Sequence, residues 1–349
     1  MSRPGDLLPA TGPTWRFFGT LLEILRYPPR VAGLATGGMM AKEFRGSYTV
    51  SVTPFTEDGS GIDFGALKNF LDWQLEVGVP GVIALGSTGE FLTVSDEERR
   101  QIVETYVNHI DGRMPVIIGT MNAHTPNAVR HSRQAEDLGA DGVMIIPPYY
   151  YTPTDDEIFR YYEAIDAAIS IPIMLYNNPV TSNVDMSAKL QAKLCLELES
   201  VQYVKESSLH LSRVPEVIEA SGGRMKVYAG EWVVDSYLLG AIGYVNPFGN
   251  YMPRASGRIF ELLEAGRIDD ARAIWRPIDR IEHTIAEGHP TYGHQCYSKA
   301  LAAAVGHPMG DVRAPLTTYA ELGEEGRERM ARLMPLVEEA DSLAESFGL

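Results

Sequence analysis

The sequence predicts an α/β protein built as a closed (β/α)8, or TIM, barrel followed by a C-terminal helical subdomain. Three observations predict it. Eight short apolar or β-branched runs recur from Gly46 onward, stretches with helix-start signals separate them, and the runs are apolar nearly throughout. Near-continuous apolarity marks strands buried on both faces, as in a parallel sheet wrapped by helices, and eight strand–helix units are what closure requires. A doubly wound open sheet is the competing arrangement. Such sheets usually carry a glycine fingerprint after the first strand, and Thr53-Pro-Phe-Thr-Glu-Asp-Gly59 has none.

The first run is Tyr48–Thr53, and Leu67, Phe70, Leu71 and Leu75 then share one face of a helix. The second is Gly81–Leu85, with the capping box Ser95-Asp-Glu-Glu98 opening the next helix. After Pro115–Gly119, Thr125 stands as N-cap before Pro126 at the first helical position. After Gly142–Ile146 comes a second capping box, Thr154-Asp-Asp-Glu157. Ile171–Tyr176, Val201–Lys205, Lys226–Ala229 and Ala241–Val245 complete the eight, and Tyr251–Gly266 forms the last barrel helix.

These assignments put the barrel at residues 41–266 and the helical subdomain at 267–349, broken by Gly288-His-Pro290 and by the stretch from Gly310 to Leu316. Residues 1–40 lack the alternation and read as an N-terminal extension, with Met39 and Met40 as candidate start residues. Within it, Trp15–Leu25 is interrupted by Arg16 and Glu23 and reads as one amphipathic helix. It lacks a signal-peptide core, and no apolar run approaches the roughly 20 residues needed to span a bilayer.

With 349 residues and 45% hydrophobic content, the chain can bury a large core as one big domain or two modest ones. A net charge of -16 argues against nucleic acid and anionic membrane surfaces as partners, while leaving an anionic small substrate open. Cys195 and Cys296 are the only cysteines and have no Cys-x-x-Cys spacing, which fits a reducing cytosol and argues against a structural zinc or a disulfide framework. The eight histidines form no His-x-x-x-His pair, Asp155-Asp-Glu157 reads as helix-start charge, and no phosphate-binding Gly-x-x-x-x-Gly-Lys loop occurs. No metal site is expected.

Barrel chemistry gathers at the carboxyl ends of strands, and four motifs fall there: Gly86-Ser-Thr-Gly-Glu90, Pro147-Pro-Tyr-Tyr-Tyr151, Tyr176 and Lys205. Lys205 closes the apolar run Val201–Val204, so its amine faces the catalytic mouth. Low-dielectric surroundings disfavour an ammonium, and a neutral amine can attack a ketone to form a Schiff base. Taken alone, a strand-end lysine more often snorkels to solvent. Tyr176 suits either buried packing or proton transfer beside a Schiff base. The Gly86–Glu90 turn offers close backbone approach, successive amides and two hydroxyls, a receptor for a carboxylate, or it is an ordinary strand-to-helix turn. Tyr149, Tyr150 and Tyr151 are too many for chemistry, and at least one belongs to the core or an interface.

At these residues the chain resembles the dihydrodipicolinate synthase / N-acetylneuraminate lyase family of Schiff-base-forming class I aldolases. The resemblance runs from about Gly46 to about Met334. It rests on the order of Thr53-Pro-Phe55, Gly86–Glu90, Pro148-Tyr-Tyr150, Tyr176-Asn-Asn-Pro179, Lys205-Glu-Ser-Ser208 and Arg313-Ala-Pro-Leu316. It implies that Lys205 is the Schiff-base lysine and Tyr176 the proton relay. Ser87 and Thr88 would hold the carboxylate of pyruvate or a 2-keto acid, with Gly230 and Val245 lining the pocket through backbone. Tyr150 would reach a neighbouring subunit's site in a homotetramer made of tight dimers.

The chain also departs from the family pattern. Lysine-pathway synthases carry an arginine five residues after the tyrosine, to pair with the carboxylate of aspartate semialdehyde, and Thr181 stands there. Threonine cannot imitate a bidentate clamp. Arg254 is the nearest substitute cation by topology. Leu209-His210 replaces a Gly–Asp/Asn pair, and Glu231-Trp232 with Asn246-Pro-Phe248 brings an aromatic and an amide toward the mouth, unless Trp232 is plain packing between strand and helix.

The expected function is a cytoplasmic Schiff-base lyase, aldolase or dehydratase, acting on pyruvate or on a 2-keto-3-deoxy or hydroxylated keto acid. Lysine supplies the covalent chemistry, so no metal or organic cofactor is required. The alternatives are 4-hydroxy-tetrahydrodipicolinate synthesis from pyruvate and aspartate semialdehyde, and a non-catalytic paralogue that binds a keto acid as a sensor.

Overall fold

A computed structural model describes residues 43–287 and 293–348. The expectations for residues 1–40, and the helix break at Gly288-His-Pro290, lie outside the described residues.

The eight strands are β1 (Gly46–Val50), β2 (Val82–Ala84), β3 (Val116–Gly119), β4 (Gly142–Ile145), β5 (Ile173–Asn177), β6 (Val201–Glu206), β7 (Lys226–Ala229) and β8 (Gly243–Asn246). They follow one another around a closed barrel in chain order, every pair parallel, and β1 returns to β8. The helices are α1 (Phe64–Val77), α2 (Asp96–Ile110), α3 (Thr125–Asp137), α4 (Asp155–Asp166), the single turn α5 (Pro179–Ser182), α6 (Ala188–Glu197), α7 (Arg213–Ala220), α8 (Val233–Leu238) and α9 (Pro253–Glu264). Three more follow: α10 (Ile268–Ala286), α11 (His294–Ala304) and α12 (Tyr319–Ser346). No described helix is long and apolar enough to cross a membrane.

Both capping boxes form, at Ser95–Glu98 and Thr154–Glu157. The start of α3 lies one residue earlier than the sequence suggests. His124 is the N-cap, Thr125 is the first helical residue and Pro126 the second. Asn122 Oδ1 accepts the His124 N–H at 2.9 Å, which anchors the chain one position upstream. On α1 the buried face includes Gln74, whose amide spans two parts of the core. It accepts from Thr49 Oγ1 at 2.8 Å and donates to the Gly249 carbonyl at 2.9 Å.

Inside the barrel, rings from β1, β6 and β7 form an aromatic floor. Tyr48 and Tyr228 centroids lie 5.5 Å apart, Tyr203 and Tyr228 6.2 Å, and Phe44, just before β1, lies 4.9 Å from Tyr203. Phe44 N–H donates to the Tyr203 hydroxyl at 3.2 Å. The floor needs room, and Gly243 provides it: a Cβ there would sit 2.1 Å from Tyr228 Cε1. Because strand side chains alternate, Tyr203 and Lys205 share the inward face of β6, with the lysine nearer the carboxyl end. Glu206 points the other way, where it accepts from Asn177 Nδ2, Gln191 Nε2 and the Ser208 N–H.

The C-terminal helices pack against the barrel's last unit. Ile274, Ile278, Ile281 and Ile285 make a buried stripe at helical spacing on α10, which packs on α9 and α12. Trp275 meets Tyr244 and Phe248 edge-on at 6.1 and 6.4 Å, fastening α10 to the end of β8.

Candidate active site

Pairing of β5 with β6 puts Tyr176 opposite Lys205. The Lys205 Nζ lies 4.3 Å from the centroid of the Tyr176 ring, and both side chains are buried. Asn178 Nδ2 donates to the Tyr176 hydroxyl at 2.8 Å, which orients the phenol. Above them opens a cavity of about 650 Å3 at the carboxyl ends of the strands.

The turn after β2 forms another wall. Leu85 and Glu90 adopt left-handed backbone (φ 57° and 52°), and the Glu90 N–H donates to the Ser87 carbonyl at 3.1 Å, so the chain doubles back over Ser87 and Thr88. Thr53 Oγ1, just past the end of β1, pins the turn through the Gly89 carbonyl at 2.7 Å. Gly230, at the end of β7, is required by close approach: a Cβ there would meet Ser207 Oγ at 1.8 Å.

Among the residues singled out from the sequence, Ser87, Thr88, Tyr176, Thr181, Lys205, Gly230 and Val245 line this cavity. Tyr150 does not. It is 89% exposed, with φ 79°, and packs edge-on against Tyr151, while Tyr149 lines the cavity. Three expectations are corrected. Asn246 faces away from the mouth, because its amide is spent on Ser47 Oγ, the Tyr48 carbonyl, Gly249 N–H and Ser256 Oγ. Trp232 is half-buried at the start of α8 and lies outside the cavity lining. Arg254 is likewise no substitute cation, since it pairs with Glu345 at 3.1 Å on the surface. Among the described residues, Lys205 is the only lysine or arginine lining the cavity.

Sequence reasoning missed the groups contributed by the C-terminal helices. His294 and Gln295 open α11, where His294 Nε2 lies 3.3 Å from Thr88 Oγ1 and Gln295 Nε2 donates to the Ser87 carbonyl at 3.3 Å. Burial, and then Lys205, push the His294 imidazole down to about 4, so it is uncharged at neutral pH. From α10, Glu282 enters the cavity, its carboxyl pushed up to about 8 by burial and then by Glu231 and Asp279. Burial also raises Glu231, at the end of β7, although Lys205 opposes it. No period or motif marks His294, Gln295 or Glu282, because their place depends on how the helices dock. Among the described residues no group of three or more His, Cys, Asp or Glu could hold a metal ion.

A buried ion pair ties the turn to α11. Glu90 Oε1 lies 2.7 Å from Lys299 Nζ, with both side chains about 1% exposed. Lys299 also donates to the Asp311 carbonyl at 2.8 Å, and Arg313 reaches back to Glu98 at 2.5 Å. Both cations lie 4.1 Å from the Phe55 ring.

Known proteins resemble this chain in sequence and in fold. The chain is 33% identical over 294 residues to the 4-hydroxy-tetrahydrodipicolinate synthase of Pelobacter propionicus, covering 83% of this chain and 98% of that one. The enzyme of the same name from Methylacidiphilum fumariolicum superposes with a TM-score of 0.80 at 27% identity, covering 87% of this chain and 99% of that chain. A dihydrodipicolinate synthase from Acinetobacter baumannii, solved with pyruvate, gives a TM-score of 0.77 at 30% identity, covering 85% and 98% respectively. A lysine beside a tyrosine at the mouth of a closed barrel thus comes with likeness over nearly the full length of each relative. Residues 43–334 match the dihydrodipicolinate synthetase family, and the chain belongs to that family of lyases.

Proposed function

We propose that the protein is a Schiff-base lyase, an aldolase or dehydratase, whose substrate is pyruvate or a hydroxylated 2-keto acid. The observation that carries this reading is the Lys205 amine 4.3 Å from the Tyr176 ring, in one cavity with the Ser87–Thr88 turn. The turn's hydroxyls and amides receive the substrate carboxylate. The Lys205 nitrogen adds to the keto carbon, and loss of water leaves an iminium. When the C3–C4 bond breaks, its electron pair moves toward the iminium nitrogen and yields an enamine, while the proton leaving the C4 hydroxyl passes to Tyr176. Lysine supplies the electron sink, so this route requires no metal or organic cofactor.

Thr181 supports a neutral substrate chain in place of aspartate semialdehyde. A lost bidentate contact costs on the order of 2–4 kcal/mol, roughly a hundredfold in specificity. The second reading, 4-hydroxy-tetrahydrodipicolinate synthesis, is favoured by the name its relatives carry. A binding-only sensor is disfavoured because it needs neither Lys205 nor Tyr176. We further assign a homotetramer built as a pair of dimers, in which Tyr150 completes a neighbour's site. Its 89% exposure supports that role. A cytoplasmic location accords with two free, buried cysteines.

Borohydride reduction with pyruvate should leave a stable mass increase on the peptide holding Lys205. Label on another residue, or none with any 2-keto acid, overturns the mechanism. Turnover of a panel of 2-keto-3-deoxy acids, set beside pyruvate plus aspartate semialdehyde, separates the two activities. Efficient use of the semialdehyde by the native chain would reverse their order, whereas failure with activity gained in Thr181→Arg would support it. Tight binding of keto acids with no turnover would favour the sensor.

A further inference from the structure

We propose that His294 is a positioning residue for the substrate carboxylate: its Nε2–H donates to Thr88 Oγ1 and so leaves the threonine proton free to point at that carboxylate. The inference rests on the Schiff-base reading of Lys205 and adds how the appended α11 sets the receptor that the barrel provides.

Three observations carry it. The first is the registration of α11 on the turn after β2. His294 Nε2 lies 3.3 Å from Thr88 Oγ1, Gln295 Nε2 donates to the Ser87 carbonyl at 3.3 Å, and Lys299 Nζ pairs with Glu90 at 2.7 Å. Three residues of one helix each meet their own residue of one turn, so the docking fixes where the imidazole sits.

The second is the hydrogen bonding of Thr88. It is 5% exposed, it lines the cavity that holds Lys205, and among the described residues its hydroxyl has no hydrogen-bond partner other than His294. A hydroxyl has one proton to give. Spent on an imidazole lone pair, that proton would leave Thr88 showing a carboxylate nothing but oxygen lone pairs. With Nε2 as the donor, the hydroxyl accepts from the ring and keeps its proton for the ligand.

The third is the state of the ring. Burial, and then Lys205, hold His294 down at about 4, so at neutral pH it carries one proton, on either nitrogen. A bound carboxylate selects the Nε2–H form. Donor and acceptor then alternate along imidazole, hydroxyl and carboxylate, and each bond polarises the next.

Borohydride trapping on Lys205 reads the effect, with pyruvate set against acetone, which offers a ketone without a carboxylate. In His294→Leu the pyruvate concentration for half-maximal adduct should rise roughly tenfold, the scale of one hydrogen bond to a charged group, while acetone trapping stays within about twofold of native. His294→Gln, whose amide N–H has a reach similar to that of Nε2, should restore most of the pyruvate affinity although glutamine cannot titrate. In a Thr88→Val background His294→Leu should add little, since the two side chains act as one chain. Nitrogen NMR of the histidine-labelled native protein, carrying the reduced pyruvate adduct, should show His294 neutral with its proton on Nε2. A proton on Nδ1 overturns the inference whatever the variants do. Equal losses for pyruvate and acetone mark a merely structural role and overturn it too, as does His294→Gln as impaired as His294→Leu. If the native protein traps pyruvate on Lys205 and these comparisons fail, only the role of His294 falls. Absence of any pyruvate adduct in the native protein removes the Schiff-base reading, and this role with it.

Discussion

Replacing Glu90 by Gln should destabilise the protein by about 3–5 kcal/mol, the usual cost of stripping one partner from a buried ion pair. The magnitude follows from the surroundings of Lys299. Its ammonium has the Glu90 carboxylate at 2.7 Å, one carbonyl at 2.8 Å and the Phe55 ring at 4.1 Å, with almost no exposure. Burial already pushes that ammonium below its usual value, and Glu90 is the largest opposing influence. Glutamine keeps an oxygen to accept the Arg313 N–H, which Glu90 Oε2 now holds at 3.0 Å, so the substitution isolates the charge. Urea unfolding reads the loss. The Glu90→Gln/Lys299→Met variant should recover most of it, because it removes the buried ammonium that the single substitution leaves without its charged partner. The same pair holds α11, with His294 and Gln295, against Thr88 and Ser87, so Glu90→Gln should also raise the 2-keto acid concentration needed to trap Lys205. A loss below about 1 kcal/mol, or a double variant no more stable than the single, would refute the reasoning.

Two further outcomes are expected. Glu282 moves from an ordinary 4.5 to about 8 on folding, so the native state holds a proton that the unfolded chain sheds between those values. Its contribution is therefore full below the unfolded value and lost as pH rises through the folded one. The advantage of Glu282→Gln over the native chain should grow from near zero in acid to roughly 2–4 kcal/mol in mild alkali, and a difference that stays flat with pH would contradict the assignment. Light scattering should report a tetramer, and a fully active monomer would dismiss the role given to Tyr150.

Much of the barrel was legible because its strands are buried on both faces, so each reads as an apolar run with no need of alternation. Lys205 and Tyr176 were found because they close such runs, and strand ends are where a barrel places its chemistry. Asn246 shows where closer attention to alternation would have helped. It follows Val245, which faces the cavity, so the period of two turns Asn246 outward to α9, where Ser256 meets it. His294 and Glu282 had no such period to betray them. They lie on helices whose apolar stripes record only that they pack against something, and the surface they meet is set by tertiary docking.

That division between barrel and helices has a chemical consequence. The strands and their turns bring the Lys205 amine, the Tyr176 phenol and the Ser87 and Thr88 hydroxyls, the groups to which the proposed mechanism assigns the reacting end of a 2-keto acid. The appended helices bring an uncharged imidazole beside Thr88 and the Glu282 carboxyl, which burial and then Glu231 push up to about 8. Because His294 is neutral at working pH, no second cation competes with Lys205 for the substrate carboxylate among the described lining residues. Under the proposed mechanism, Lys205 is then the one described cation lining the cavity that attracts a keto acid's carboxylate. Electrostatics of this kind orients a substrate before any covalent step, since only one placement puts the carboxylate at the turn and the keto carbon over the amine.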